Sequence, residues 1–254
     1  MSNMYRTAAI IPARDEEQAI ATVVTCLKQL RDDRGEPLID VIVVCDNGSR
    51  DHTADIACRA GATVVQQPVA GYGLACLTAI DALQDVDCLL FVDGDNAFAV
   101  EQAGPLIEAV ERGADLAIGS RVLGTMTPGA LTFPQQFGNR LASFLIRRLW
   151  DANITDLGPY RAISYLAYQR LEMRDRRFGW TVEMQVKAIQ RGMNVVELPV
   201  DTRRRLGRSK ISGTLRGTVG AAVGILSMIA RLWWQERRHP VIVMETGSSR
   251  VEQR

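Results

Sequence analysis

The stretch FVDGDN, residues 91–96, sets two carboxylates one glycine apart at the end of an apolar run. The run, residues 89–92, is typical of a buried strand, so Asp93 and Asp95 are predicted just beyond that strand's carboxyl end. Paired carboxylates are hard oxygen ligands for Mg²⁺ or Mn²⁺, and a cation held there can bridge a diphosphate. Because Asp, Gly and Asn are also turn residues, a solvated turn is the alternative. The position after a buried strand favours the metal site.

Around this stretch, the first 120 residues alternate short β-branched runs with longer amphipathic stretches, the pattern of βα units around a parallel sheet. We predict strands at residues 7–11, 41–45, 63–65, 89–92 and 116–118, and helices at 16–30, 53–60, 74–83 and 101–112. Right-handed crossovers place the loops after the strands at one edge of the sheet, where open α/β sheets bind ligands. The predicted fold class is therefore α/β, a Rossmann-like, mostly parallel sheet flanked by helices.

The second half of the chain is less regular. A polar loop is predicted at residues 120–134, helices at 135–150 and 180–191, and a strand at 194–199. The pattern then changes abruptly to TRRRLGRSK, followed by an apolar segment. We predict one domain over residues 1–202, and a second part, 203–254, made of a basic phosphate-binding loop, an amphipathic helix and a frayed C-terminus.

The charge of the 254-residue chain is unevenly spread. The formal net charge is +1, which disfavours a nucleic-acid binder, yet residues 203–254 hold 11 basic and 3 acidic side chains, against 19 and 26 before them. A basic tail on a mildly acidic body indicates an anionic partner for the tail. Five cysteines without a CxxC pair indicate reduced core thiols, and the N-terminal apolar run is too short for a signal peptide, so a cytoplasmic location is expected.

Another acidic loop follows the second predicted strand. There Asp46 precedes Asn-Gly-Ser, and a carboxylate at that place can accept hydrogen bonds from a nucleobase or a ribose. The sequence PARDEE supplies the matching loop after the first strand. Turn formation and helix capping are the alternatives for both loops.

The ordered set of motifs resembles family 2 glycosyltransferases of the GT-A fold, in particular the dolichol-phosphate-mannose synthase-like branch that acts on polyprenyl phosphates. The resemblance extends from residue 10 to about residue 210 and is carried by IIPARDEE, CDNGSRD, GYGLACLTAI, DGDNA, GSR, TDLGPYRAI, GWTVEMQVKA and RRRLGRSK. It implies that Asp93 and Asp95 serve the sugar nucleotide and its Mg²⁺ or Mn²⁺. The residues implied to line the nucleotide pocket, with Asp46 at the base, are Pro12, Ala13, Arg14, Glu16 and Asp46.

The chain departs from that branch at two positions. Many relatives carry a metal-binding Gln two residues after the second Asp, where this chain has Ala97, so coordination here is expected to depend on Asn96, water or substrate. The stretch beginning at Gly71 lacks the Lys that many relatives have. Gly71 is a candidate for close backbone approach to the nucleotide sugar, and a plain turn is the equal alternative.

Cationic residues are the candidates for phosphate binding. The segment RRRLGRSK offers guanidinium groups, a hydroxyl, an ammonium and a flexible glycine, and such a loop can fold over a diphosphate and exclude water. Its phosphate- or acceptor-binding candidates are Arg205, Arg208, Ser209 and Lys210. Arg121 and Arg161 are further candidates for seating an acceptor phosphate. The alternative for the tail is a basic patch on anionic lipid or a solvated face.

The expected mechanism depends on the acceptor. Departure of a nucleoside diphosphate builds oxocarbenium character in the sugar and negative charge on the leaving group, which a metal and cations at Asp93 would stabilise. A lipid phosphate is already ionised at neutral pH and needs no strong base, whereas a hydroxyl acceptor does. Glu183 and Asp156 are the candidate bases, and structural roles in a helix start and a turn are the alternatives.

The tail also suggests a surface for a membrane. Residues 217–230 are 14 uncharged residues, about 21 Å of helix, against roughly 30 Å of hydrocarbon. Residues 215–234 show apolar side chains at helical spacing, bracketed by arginines, which is typical of an interfacial helix on an anionic leaflet. Packing on the protein's own body or in a homodimer is the alternative.

We therefore expect a metal-dependent, inverting glycosyltransferase that moves a hexose from a UDP- or GDP-sugar to a polyprenyl phosphate, peripheral on the inner face of the membrane. A soluble hydroxyl acceptor is the near alternative. A sugar-1-phosphate nucleotidyltransferase is disfavoured because the loop after the first strand is PARD rather than a Gly-rich GxG. A catalytically silent peripheral membrane protein is the non-enzymatic alternative.

Overall fold

The computed structural model describes residues 5–206 and 215–238 and contains a seven-stranded sheet. Its strands are β1 (Thr7–Ala13), β2 (Val41–Asp46), β3 (Thr63–Gln66), β4 (Cys88–Phe91), β5 (Leu116–Ser120), β6 (Arg161–Ser164) and β7 (Val195–Pro199). Their order is β3-β2-β1-β4-β6-β5-β7, and all neighbours are parallel except that β6 runs antiparallel to β4 and β5. The predicted α/β class and six predicted strands are confirmed; β6 was not predicted.

Helices connect most of these strands. They are α1 (Ile20–Gln29), α2 (Thr53–Ala60), α3 (Tyr72–Asp81), α4 (Ala103–Glu111), α5 (Phe133–Trp150), α6 (Tyr165–Leu171), α7 (Trp180–Gln190) and α8 (Leu215–Arg238). The start of α5 is fixed by a capping box, in which Thr132 and Gln135 each satisfy a backbone N–H of the other. The predicted helix at 16–30 begins only at Ile20, because the preceding residues form turns that belong to the first acidic loop.

The sheet is buried on both faces. Successive side chains of β1 alternate between two apolar clusters, with Ala9 and Ile11 packed beneath α1 and α4, and Ala8 and Ile10 beneath α3 and α7. Burial on both faces explains why the central strands appear in the sequence as continuous apolar runs. Because both faces of the central strands are covered by apolar side chains, polar groups are found at the ends of these strands.

The last described helix, α8, packs on α5 and α7. Met228, Ile229 and Leu232 are buried in a third apolar cluster with residues of those two helices. The body-packing alternative is thus correct for this face of α8, while the opposite face exposes Val223 and Trp234. Among the helices in the described part of the chain, none combines the length and apolar character needed to cross a bilayer. The predicted division of the chain into a domain of residues 1–202 and a second part of residues 203–254 stays a prediction.

Candidate active site

The acidic loops after β1 and β2 are fastened to each other at the carboxyl edge of the sheet. The backbone N–H of Asp15 donates to Ser49 Oγ (2.9 Å), and the N–H of Arg50 donates back to Asp15 Oδ1 (2.7 Å). A further bond runs from the Glu16 N–H to Thr53 Oγ1 (2.7 Å). Serine and threonine hydroxyls here satisfy backbone donors that a turn leaves unpaired. Both loops therefore form one rigid rim, to which the predicted pocket residues Pro12, Ala13, Arg14 and Glu16 belong.

Asp46 ends β2 beside this rim. Its side chain is buried, and Oδ1 accepts the Ser49 N–H (3.2 Å). The next residue, Asn47, was not predicted as a site residue, yet it ties the rim to the loop before α3. Its Nδ2 donates to the carbonyls of Gln67 and Val69, and its Oδ1 accepts the Gly71 N–H (2.8 Å). Gly71 is thereby held near Asp46.

The two carboxylates after β4 each contact one side chain from another segment. The Tyr72 hydroxyl donates to Asp93 Oδ1 (3.1 Å), and Arg205 Nη1 lies 3.1 Å from Asp95 Oδ2. Burial, and then the neighbouring Asp95 carboxylate, raise the pKa of Asp93 to about 7, although Tyr72, Arg205 and Arg121 act in the opposite direction. Two carboxylates therefore lie close together in a largely buried place, and a bound cation would reduce their mutual repulsion.

This pair of carboxylates fits a divalent cation. Burial and the neighbouring Asp95 both disfavour the charged form of Asp93, and a divalent cation would favour it. Within residues 5–206 and 215–238, no group of three or more His, Cys, Asp or Glu side chains is arranged to enclose a metal. Two carboxylates such as Asp93 and Asp95 could hold Mg²⁺ or Mn²⁺ if water and phosphate oxygens supplied the remaining ligands.

A clamp between Arg121 and Asp156 joins the loop after β5 to the segment before β6. Arg121 Nε and Nη2 donate to the two oxygens of Asp156 (2.8 and 2.6 Å), and the Arg121 backbone N–H adds a third bond (2.7 Å). Burial alone would raise the pKa of Asp156, but the hydrogen bonds and charge of Arg121 outweigh it and hold the pKa below its usual value. Such a carboxylate is a weak base.

The other predicted base, Glu183, is also engaged. It is 3% exposed, and its carboxylate accepts the backbone N–H groups of Arg174 and Asp175 (3.0 and 2.7 Å) and pairs with Lys187 Nζ (2.7 Å). A charged hydrogen bond from Lys187 and two from the backbone account for most of its acceptor capacity. Its surroundings are those of a group that fixes a loop.

The remaining predicted phosphate ligands differ in placement. Arg161 is fully buried, and its Nε and Nη1 donate to the carbonyls of Gly158 and Thr181 (both 3.0 Å). That burial lowers the pKa of Arg161 to about 10. An acceptor phosphate could reach this guanidinium only if its surroundings moved. The residues predicted at 208–210, Arg208, Ser209 and Lys210, lie outside the described residues.

One further carboxylate at this edge was not predicted. Glu197, on β7, accepts the backbone N–H groups of Thr155 and Asp156 (2.8 and 3.1 Å) and the Thr155 hydroxyl (2.8 Å). It holds the segment that presents Asp156 to Arg121. Its position in a strand of ordinary alternation gave no signal in the sequence, because the partners are about forty residues away.

The sequence matches the family model described as Glycosyl transferase family 2 over residues 8–167. The chain belongs to this family. The glycosyltransferase is 31% identical to a dolichyl-phosphate hexose transferase of Haloferax volcanii, covering 91% of this chain and 95% of the relative. It is 32% identical to an undecaprenyl-phosphate mannosyltransferase of Micrococcus luteus, covering 86% and 91%. The predicted resemblance to the polyprenyl-phosphate branch is confirmed by these relatives.

Comparison with solved structures addresses the fold of the glycosyltransferase. Glucosyl-3-phosphoglycerate synthase from Mycobacterium tuberculosis, in complex with Mn²⁺, UDP and glucosyl-3-phosphoglycerate, superimposes with a TM-score of 0.69 at 18% identity. The match covers 89% of this chain and 81% of that structure. The same enzyme with Mg²⁺ and UDP gives a TM-score of 0.68. The predicted GT-A fold is confirmed; the metals and UDP are properties of those structures.

Proposed function

We propose that this glycosyltransferase moves a hexose from a UDP- or GDP-sugar to the phosphate of a polyprenyl phosphate, with inversion, at the cytoplasmic face of the membrane. The observation that carries the proposal is a carboxylate pair after β4, in which Asp93 accepts from the Tyr72 hydroxyl and Asp95 lies 3.1 Å from Arg205 Nη1. The acceptor class is supported by the dolichyl- and undecaprenyl-phosphate transferases that the chain is similar to.

The donor side of the site combines the rim and the carboxylates. The loop after β1 and Asp46 would hold the nucleoside, with Gly71 close by. When bound between Asp93 and Asp95, Mg²⁺ or Mn²⁺ would neutralise the diphosphate as it leaves. Arg205 is already at this position and can present its guanidinium to the same phosphates.

The acceptor side needs orientation more than proton transfer. A phosphate monoester oxygen is ionised at neutral pH, so it can attack the anomeric carbon without a base. Asp156 would then act by holding Arg121 through Nε and Nη2, so that Nη1, for which residues 5–206 and 215–238 provide no hydrogen bond, could meet the acceptor phosphate. A bound, pre-oriented guanidinium costs less entropy on binding than a free one.

The surface that would meet the membrane in this proposal lies on α8 and α5. The exposed bulky apolar side chains of these two helices are Val223, Leu226, Trp234, Phe133, Phe137 and Phe144. Arg238 stacks on the Trp234 ring (3.3 Å to the centroid), which sets a cation beside the apolar face. An anionic bilayer matches this combination of apolar surface and positive charge. A second copy of the chain on the same face is the competing occupant.

A transfer assay tests the proposed function. Purified protein is mixed with Mg²⁺ or Mn²⁺, a panel of UDP- and GDP-sugars and a short polyprenyl phosphate, and both lipid-linked sugar and free nucleoside diphosphate are measured. Lipid-linked product with the wild type, and its near-complete loss in Asp95→Asn with an unchanged melting temperature, is the expected result. Nucleoside diphosphate without lipid product would point to a hydroxyl acceptor, and no turnover with any donor would refute the proposal.

A further inference from the structure

A loop of residues 172–177 lies directly on the Gly-Tyr-Gly sequence that begins α3. A Cβ atom added to Gly71 would come within 2.2 Å of the Arg176 carbonyl oxygen, and one added to Gly73 within 2.2 Å of the Asp175 carbonyl oxygen. Only glycine leaves room for this contact. The two glycines on either side of Tyr72 are therefore explained by the loop that packs on them.

The same loop caps α3. The helix has no side-chain cap, and its early N–H groups at Gly73 and Leu74 donate instead to the carbonyls of Arg177 (3.2 Å) and Arg176 (3.1 Å). The first N–H groups of a helix have no partner within the helix, so these two bonds set where α3 begins and how it is oriented. Tyr72, the first residue of α3, takes its position from them.

Glu183 in turn fixes the loop. Its carboxylate accepts the N–H groups of Arg174 and Asp175, and Lys187 both pairs with Glu183 and donates to the Glu172 carbonyl (2.7 Å). A chain of contacts thus runs from α7 through the loop to α3 and ends at the bond from Tyr72 to Asp93.

We infer that Glu183 and Tyr72 are positioning residues for the metal site at Asp93: Glu183 fixes the 172–177 loop, the loop sets α3, and Tyr72 orients the Asp93 carboxylate. The Tyr72 hydroxyl occupies one oxygen of Asp93, which leaves the other oxygen in a defined direction. Hydrogen bonds of this kind to metal-ligating carboxylates orient the ligand and strengthen metal binding. The inference rests on the proposed function in that it takes Asp93 as a metal ligand.

Metal affinity separates this role from that of a general base. Mn²⁺ binding is measured by the electron paramagnetic resonance of free Mn²⁺, with protein alone and with UDP or GDP, for wild type, Tyr72→Phe, Glu183→Gln and the double variant. We expect Tyr72→Phe to weaken Mn²⁺ binding roughly 10- to 100-fold, the range typical of lost partners of metal ligands. Glu183→Gln should weaken it in the same direction, and the double variant should lose less than the product of the single losses, because both act through one chain of contacts.

Two matched substitutions serve as controls. Glu236 on α8 accepts from Gln190 Nε2 (3.1 Å) and from Trp150, so Glu236→Gln removes a comparable carboxylate that makes no described contact with the loop. Tyr165→Phe removes a hydroxyl from a ring that stacks on Tyr168. Both should bind Mn²⁺ as the wild type does. If Glu183→Gln does not fold, as judged by its melting curve, Tyr72→Phe alone still decides the last step.

The outcomes distinguish the inference from the proposed function. The inference would be overturned if Tyr72→Phe bound Mn²⁺ as tightly as the wild type does. It would also be overturned if Glu183→Gln lost turnover but kept its Mn²⁺ affinity. Neither result would contradict the proposed function. Losses that multiply in the double variant would also overturn the inference. A wild type that binds Mn²⁺, with both variants weakened, but transfers no sugar would support the inference and refute the proposed acceptor.

Discussion

Replacement of Arg121 by methionine tests the clamp on Asp156. Asp156 is fully buried and Arg121 is nearly so, with 13% of its side chain exposed, so the substitution leaves a buried carboxylate without its charge partner. Breaking a buried pair in this way costs roughly 3–5 kcal/mol. The Arg121 backbone N–H still donates to Asp156, which places the expected loss near about 3 kcal/mol. For a chain of this length the melting temperature should fall by roughly 6–12 °C.

The loss of stability in Arg121→Met should depend on pH, and the pKa of Asp156 determines the direction of that dependence. In the wild type the pKa of Asp156 is lowered, so the stabilisation is complete above the ordinary Asp pKa and is lost only as pH falls through the lower, folded value. In Arg121→Met burial is opposed only by the backbone hydrogen bonds from Arg121 and Leu157, and we expect it to raise the pKa of Asp156 above its unfolded value. The folded variant then takes up a proton on acidification, so its stability deficit should be smaller at pH 5 than at pH 8.

Differential scanning fluorimetry at the two pH values, with urea unfolding for the free energy, provides the measurement. Adding Asp156→Asn to the Arg121→Met variant removes the unpaired charge and should restore part of the lost stability at pH 8. An equal deficit at both pH values, or no recovery in the double variant, would refute the reasoning.

Three other substitutions test separate parts of the molecule. Arg205→Gln removes the cation that competes for Asp95, so Mn²⁺ without nucleotide should bind roughly 2- to 5-fold more tightly by calorimetry, and weaker binding would contradict this. Val223→Glu places a charge on the exposed face of α8 and should reduce sedimentation with anionic vesicles roughly 10-fold or more at an unchanged melting temperature. Gly124→Ala would set a Cβ 2.2 Å from the Val200 carbonyl oxygen and should cost about 1–3 kcal/mol in urea unfolding, an expectation that a wild-type midpoint would rule out.

Four of the six predicted strands have side chains that are buried on both faces of the sheet. Such strands are long apolar runs bounded by Gly, Asp or Pro, and β1, β2, β4 and β5 meet this description. By contrast β6 begins with a charged Arg161 and directly follows the sequence Gly-Pro-Tyr, so the sequence does not show it as an apolar run, although its first three residues are buried. Its antiparallel direction follows from pairing with β4 and β5, which are far away in the chain.

The site divides in the same way. The positions of Asp46, Asp93 and Asp95 at the ends of buried strands could be predicted, because a carboxylate after an apolar run is visible in the local sequence. Tyr72 and Glu197 could not, since each acts through a partner at least 21 residues away, and only folding brings them together. The burial of Arg161 could not be predicted either, because the presence of an arginine in a sequence does not indicate how deeply its guanidinium is buried.

The reversed strand β6 sets the spacing within the active site. Across the sheet Phe91, Arg161 and Ile118 lie in register, so the ends of β4 and β5 are two strand spacings apart, about 9.5 Å. Asp93 follows one end and Arg121 the other. A reversed strand has its first residue, and not its last, at this edge, so the segment that reaches the gap here is the one before β6, which carries Asp156. In the proposed reaction, β6 would therefore set the distance between the diphosphate of the donor near Asp93 and the phosphate of the acceptor near Arg121.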